Sequence, residues 1–206
     1  MISVIIPTTP DRDEQLERCI AAVRGSDCDQ RIDIIVERND YEGFVKPVLR
    51  ILSKLECFCL LLGNDAVVRR DAIQKLYDAS VREFKHDNGL CAPIDGTDHG
   101  KQLPCHPFAH SRTLRENIYP KYFHNFVDKD LGQVMWRRGL YKVVEEAVIE
   151  HHHYIYGKAK RDFTYAISEA TSDADGEIYN QRLARNFDLK PEEVVGDLTK
   201  YPRGPF

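Results

Sequence analysis

Asp65 closes an apolar run in "CFCLLLGNDAVVRRDAI", Cys57 to Ile73. An acid at the end of a buried strand stands where open α/β sheets bind ligands. The plainer role for Asp is that of a turn residue. Comparable groups recur in three other places: Asp128 and Asp130 in "FVDKDLGQVMWRRG", His151 to His153 after "YKVVEEAVIE", and Asp95 and His106 in the loop-rich "APIDGTDHGKQLPCHPFAHSR". A carboxylate and an imidazole together can hold a divalent ion. A carboxylate within reach of a hydroxyl can take its proton. Each group also has an ordinary reading. Asp128 suits a helix N-cap and Asp130 a solvated first turn. Asp95 and His106 read equally as ordinary loop polarity. Histidines on a strand alternate faces, which puts His151 and His153 on one side and His152 on the other.

The elements that must position these groups follow from periodicity. "ISVIIP", "IDIIVERND" and "CFCLLLGND" read as buried strands. "DRDEQLERCIAAVRG", "GFVKPVLRILSKL" and "RRDAIQKLYDASVREF" read as helices, the second with Pro47 in or near its first turn. Residues 1–85 are thus β-α-β-α-β-α, which implies parallel strands with helices on both faces. All three strands end in polar residues, so Pro7, Thr8, Thr9, Glu37, Asn39, Asn64 and Asp65 are expected along one sheet edge. Further on, Leu131, Val134, Met135 and Arg138 repeat at helical spacing before Gly139. "YKVVEEAVIEH" reads as a strand and "DGEIYNQRLARNF" as a helix. The expected division is a catalytic body over 1–154 and an extension over 155–206 packed on it.

The chain has 206 residues, 42% hydrophobic and 30% charged, with a net charge of −4. That is an ordinary globular composition without a global basic field for nucleic acid. There is no GxGxxG and no GxxxxGK[ST], which argues against a Rossmann dinucleotide site or a P-loop. The six cysteines form no CxxC pair and read as reduced, mostly buried thiols rather than a zinc site. The first residues have neither the basic start nor the apolar length of a signal peptide, and no stretch is long enough for a membrane span. A cytoplasmic location is therefore expected, or the host cytoplasm for a phage-encoded chain.

In order and content, "SVIIPTTPDR", "LLLGNDAVVRRDAI", "FVDKDLGQVMWRRG" and "AVIEHHH" resemble the family 2 glycosyltransferases of GT-A fold. The segments are similar to that family's first strand and loop, its metal-binding DxD, its catalytic-base segment and its closing strand with a metal-contacting histidine. The resemblance covers residues 2–153, and "YFHNFVDKDLGQV" is similar to small members from phages and bacteria. It implies an α/β fold with a mixed, mostly parallel sheet flanked by helices. It also implies an inverting transfer from a nucleoside diphosphate sugar, UDP-linked by family habit, to an acceptor hydroxyl. Asp128 would be the base, and Asp65 and His151 would hold Mn²⁺ or Mg²⁺, the imidazole favouring Mn²⁺. Pro7, Thr8, Thr9, Arg12, Glu37, Asn39 and Asn64 would line the nucleotide site, with Asp95 and His106 toward the sugar or acceptor. Outside the resemblance, composition alone suggests that the basic segment Gly157–Tyr165 closes over the diphosphate as a lid, and guanidinium geometry makes Arg137 or Arg138 a phosphate contact if not a surface charge.

Three departures stand out. Gly63 replaces the first acid of DxD, Glu37 replaces the uracil-contacting Asp, and Val127 precedes Asp128 where the family often has Glu. The acceptor stays open among a glycan, a lipid-linked sugar, a protein and a modified DNA base. Two rivals remain: a nucleotidyltransferase, whose glycine-rich phosphate loop "PTTPDR" lacks, and a non-catalytic nucleotide-sugar-binding or scaffold protein.

Overall fold

The first strand, β1 (Ile2–Thr8), shows how the chain builds two cores. Ile2, Val4 and Ile6 point into one apolar cluster and Ile5 into another, all with no solvent exposure. This is the period of two expected of a strand buried on both faces. The computed structural model describes residues 1–94 and 106–195. In chain order, α1 (Asp13–Arg24), β2 (Ile32–Arg38), α2 (Val45–Leu52), β3 (Phe58–Leu61), β4 (Ala66–Val68) and α3 (Ala72–Glu83) follow β1. Then come β5 (Leu90–Ile94), β6 (Phe108–His110), α4 (Ser111–Asn117), α5 (Val127–Arg137), β7 (Tyr141–His151) and α6 (Phe163–Ala184).

The described strands form one seven-stranded sheet in the order β2-β1-β3-β6-β5-β7-β4. β1 pairs parallel with β2 and β3, and β5 pairs parallel with β7. β6 runs antiparallel to β3 and β5, and β4 antiparallel to β7. Five strands therefore share one direction, as the expected mixed, mostly parallel sheet requires. Helices α1 and α3 cover one face through Leu16, Cys19, Val23, Ile73 and Leu76. Helices α2, α4 and α5 cover the other through Val48, Leu52, Leu114, Leu131 and Met135, with Ile178 and Tyr179 of α6 packed against them. Pro47 is the third residue of α2, where its missing N–H costs nothing. Gly139, at φ +69°, follows the end of α5.

The middle and the end of the chain differ from the sequence reading. β4, β5, β6 and α4 emerge from stretches too short to show a period. The last helix begins twelve residues before the expected Asp175, at Phe163, and ends at Ala184. Its buried positions are Tyr165, Asp175 and Arg182, so charged residues interrupt its inner face and no continuous apolar stripe is left to read. The Arg182 guanidinium meets Asp130 through two hydrogen bonds of 2.5 and 3.0 Å, and Tyr122 adds a third at 2.9 Å. Asp130, expected as a solvated acid, is fully buried and pins α6 to α5. Asp175 accepts from the backbone N–H groups of Phe123, His124 and Asn125.

Candidate functional site

The carboxyl ends of β1, β2 and β3 open into a cavity of about 300 Å³. Ten of the expected site residues line it: Pro7, Thr8, Thr9, Arg12, Asn39, Asn64, Asp65, His106, Asp128 and His151. Glu37 does not; its carboxylate pairs with Arg50 from α2. Asp95 lies outside the described residues. Arg137 and Arg138 do not line the cavity. Arg137 bonds Asn186, and Arg138 pairs with Glu193.

Sheet register brings Asp65 and His151 together. Ala66 of β4 stands opposite His151 of β7, and the His152 N–H donates to the Asp65 carbonyl at 2.8 Å. Asp65 Oδ1 then lies 3.3 Å from His151 Nε2, while Oδ2 accepts from the Tyr165 hydroxyl at 2.7 Å and lies 3.6 Å from Arg12. Asp65 is 4% exposed. Burial would raise its carboxyl pKa, but the His151 hydrogen bond and charge, with Arg12 and Tyr165, override this and hold it well below the usual carboxylate range.

Around this pair the polar side chains are knitted together. Arg12 donates to Asn64 at 3.0 Å and grips Asp162 with two bonds of 3.0 Å. Asn64 donates to the Thr8 hydroxyl, and Asn39 to the Thr8 carbonyl. Thr9 and Thr164 hydroxyls lie 2.6 Å apart and share Asp11. Among the described residues lining the cavity, Arg12 is the only Lys or Arg.

Gly63 lines the cavity beside Asp65. A Cβ there would lie 2.8 Å from Asp65 Oδ1, so a side chain at 63 collides with the carboxylate as it now stands. His106 sits on the other side of this gap, 2% exposed, with neither ring nitrogen hydrogen-bonded among the described residues. Burial, aided by the charge of His151, lowers its pKa to about 3, so the ring is neutral near pH 7.

Asp128 enters from the opposite wall as the second residue of α5. It is not the N-cap; that position belongs to Phe126, in the left-handed region at φ 62°. Such a conformation costs a bulky residue on the order of 1–2 kcal/mol. The Asp175 clamp on 123–125 and an Asn125 side-chain bond to the Ser168 carbonyl hold the loop in place. Gly43, at φ +81°, lets the loop after β2 approach: a Cβ there would lie 2.3 Å from the Phe123 carbonyl oxygen.

Asp65 and His151 supply two donors of the kinds that a divalent ion takes. Neighbouring ligands of an octahedral ion with bonds of about 2.1 Å stand about 3 Å apart, close to the separation of Asp65 Oδ1 and His151 Nε2. Among the described residues no group of three His, Cys, Asp or Glu side chains could hold a metal. An ion here would need oxygens from a ligand as well.

Sequence reading missed three partners of this site. Asp162, Thr164 and Tyr165 all come from the start of α6, and the only signal was the basic segment around them. Of the histidines, His153 also lines the cavity, while His152 pairs with Glu150.

Neither a protein-family model nor a curated protein sequence matches the chain. Solved structures do. S. aureus TarS 1-349 in complex with UDP superposes with a TM-score of 0.54 at 13% identity, covering 93% of this chain and 76% of that one. A longer S. aureus TarS structure gives 0.52 at 12% identity over 98% of this chain. The chain has a GT-A-like glycosyltransferase fold. It spans 47% of the longer TarS chain. The apo-form glycosyltransferase GlyE of Streptococcus pneumoniae is more distant, with a TM-score of 0.47 over 70% of this chain. Among the described residues no helix is long and apolar enough to cross a membrane.

Proposed function

We propose that this chain transfers a sugar from a nucleoside diphosphate sugar, UDP-linked by preference, to an acceptor hydroxyl with inversion. The observation that supports this most is the convergence of Asp65, His151 and Asp128, from three separate stretches, on one cavity at the strand ends. The UDP complex of TarS, a chain of similar fold, supports the choice of nucleotide.

In this reading Thr8, Thr9, Asn39 and Asn64 hold the nucleotide side of the donor. Asp65 and His151 would bind Mn²⁺ or Mg²⁺. When bound, such an ion neutralises charge on the leaving diphosphate. Arg12 supplies a further positive charge at the phosphates. The Asp128 carboxylate takes the proton of the acceptor hydroxyl as its oxygen attacks the anomeric carbon. One carbon–oxygen bond forms, the bond to the diphosphate breaks, and the nucleoside diphosphate leaves with the electron pair. The neutral His106 ring offers a hydrogen bond to an uncharged hydroxyl of sugar or acceptor.

A donor screen tests this reading. The chain is incubated with a panel of nucleotide sugars, with Mn²⁺ or with EDTA, and release of free nucleoside diphosphate is followed. Metal-dependent release from one donor, lost in Asp65→Ala, is the expected result. No release and no binding from any donor would overturn it.

A further inference from the structure

The Tyr165 hydroxyl donates to Asp65 Oδ2 at 2.7 Å, across 100 residues of sequence. Tyr165 is 5% exposed. Its ring is held on two sides: the Arg12 guanidinium lies 4.0 Å from its centroid and the His153 ring 4.4 Å. The side chain is therefore fixed by packing and does not depend on the Asp65 bond for its place. Asp65 depends on it more. A carboxylate rotates about one bond, and here one oxygen is tied by Tyr165 while the other faces His151.

We infer that Tyr165 is a positioning residue, whose hydroxyl ties one oxygen of Asp65 so that the other is presented, with His151, to a divalent ion. This rests on the donor-site reading above and adds to it a residue from outside the stretch that resembles the glycosyltransferases. The chemistry is that of an outer hydrogen bond orienting a ligand, whose loss typically weakens metal binding 10- to 100-fold. Asp162 and Thr164, in the same turn, bond Arg12 and Thr9. The turn is thus anchored by residues just before Tyr165, and removing one hydroxyl leaves it seated.

The test is Mn²⁺ binding to the full chain in the presence of UDP, followed by the paramagnetic signal of free Mn²⁺. Tyr165→Phe keeps the ring and removes only the donor. The expected result is a 10- to 100-fold weaker Mn²⁺ affinity, with UDP affinity in EDTA unchanged. Tyr165→Leu should weaken both, because it also removes the face that carries Arg12. Equal Mn²⁺ affinity in wild type and Tyr165→Phe would overturn the inference alone. A wild-type chain that takes up neither UDP nor Mn²⁺ would overturn the donor-site reading as well.

Discussion

Asp162 holds Arg12 by two parallel hydrogen bonds of 3.0 Å, one to each carboxylate oxygen. This is the forked geometry in which guanidinium also grips phosphate. The only Lys or Arg among the described lining residues is therefore already occupied by an internal anion.

A donor diphosphate that uses Arg12 must displace that carboxylate. Asp162→Asn keeps an acceptor for the Tyr165 N–H, which Asp162 caps at 3.0 Å, while removing the charge. UDP affinity should rise about tenfold in this variant, equivalent to about 1.4 kcal/mol. Isothermal titration at fixed salt measures it, and an unchanged or lower affinity would show that Arg12 does not meet the phosphates.

Asp128 should matter to turnover and not to donor binding. Asp128→Asn removes the base while keeping its size. Loss of a general base typically costs 10²- to 10⁴-fold in rate. With the donor and acceptor found by screening, kcat should fall in that range while UDP affinity stays within about twofold. A matching loss of UDP affinity would place Asp128 in nucleotide binding instead.

Placing an acid at position 63 should not help. A Cβ at Gly63 meets Asp65 Oδ1 at 2.8 Å, and the carboxylate is tied by His151 and Tyr165. Gly63→Asp is expected to displace Asp65 and weaken Mn²⁺ uptake measured with UDP. Tighter uptake would mean that the carboxylates rearrange into a paired site.

His106 should leave a signature in the pH dependence of stability. Its folded pKa is depressed to about 3, from an ordinary value of 6.5. Between these values the unfolded chain binds a proton that the folded chain does not. Stability therefore falls as pH drops through that window, by about 1.4 kcal/mol per pH unit for one proton. In urea unfolding between pH 6 and pH 4.5, with EDTA present, His106→Gln should show a slope smaller by about that amount. An identical slope in both proteins would mean that His106 is protonated in the folded state.

Strands β1, β2, β3 and β7, with the site residues at the ends of the first three, were legible because apolar strands have strong local signals. Ile2–Ile6 and Cys57–Leu62 are apolar runs, and their polar ends mark the cavity. β7 matched the expected Tyr141 to His151 because Val143, Val144, Val148 and Ile149 are β-branched and favour a strand. Asp162, Thr164 and Tyr165 were not legible as site residues. Each is a single polar residue in a charged stretch, and each contact spans 100 residues or more. The inner face of α6 defeats periodicity for the same reason: Asp175 and Arg182 are buried because of specific distant partners, not because of their type. Glu37 shows the converse. Its position at the end of β2 was read correctly, but Arg50 on the next helix claims its carboxylate.

The link from Tyr165 back to Asp65 also has a bearing on the order of folding. The loop it closes is 100 residues long, and those joining Arg12 to Asp162 and Thr9 to Thr164 are 150 and 155. Contacts so distant in sequence tend to form late. A nascent chain that has emerged only as far as β7 already carries Thr8, Arg12, Asp65, Asp128 and His151, yet Asp65 still lacks Tyr165 and Arg12 still lacks Asp162. Assembly of this pocket therefore waits for the start of α6 to emerge.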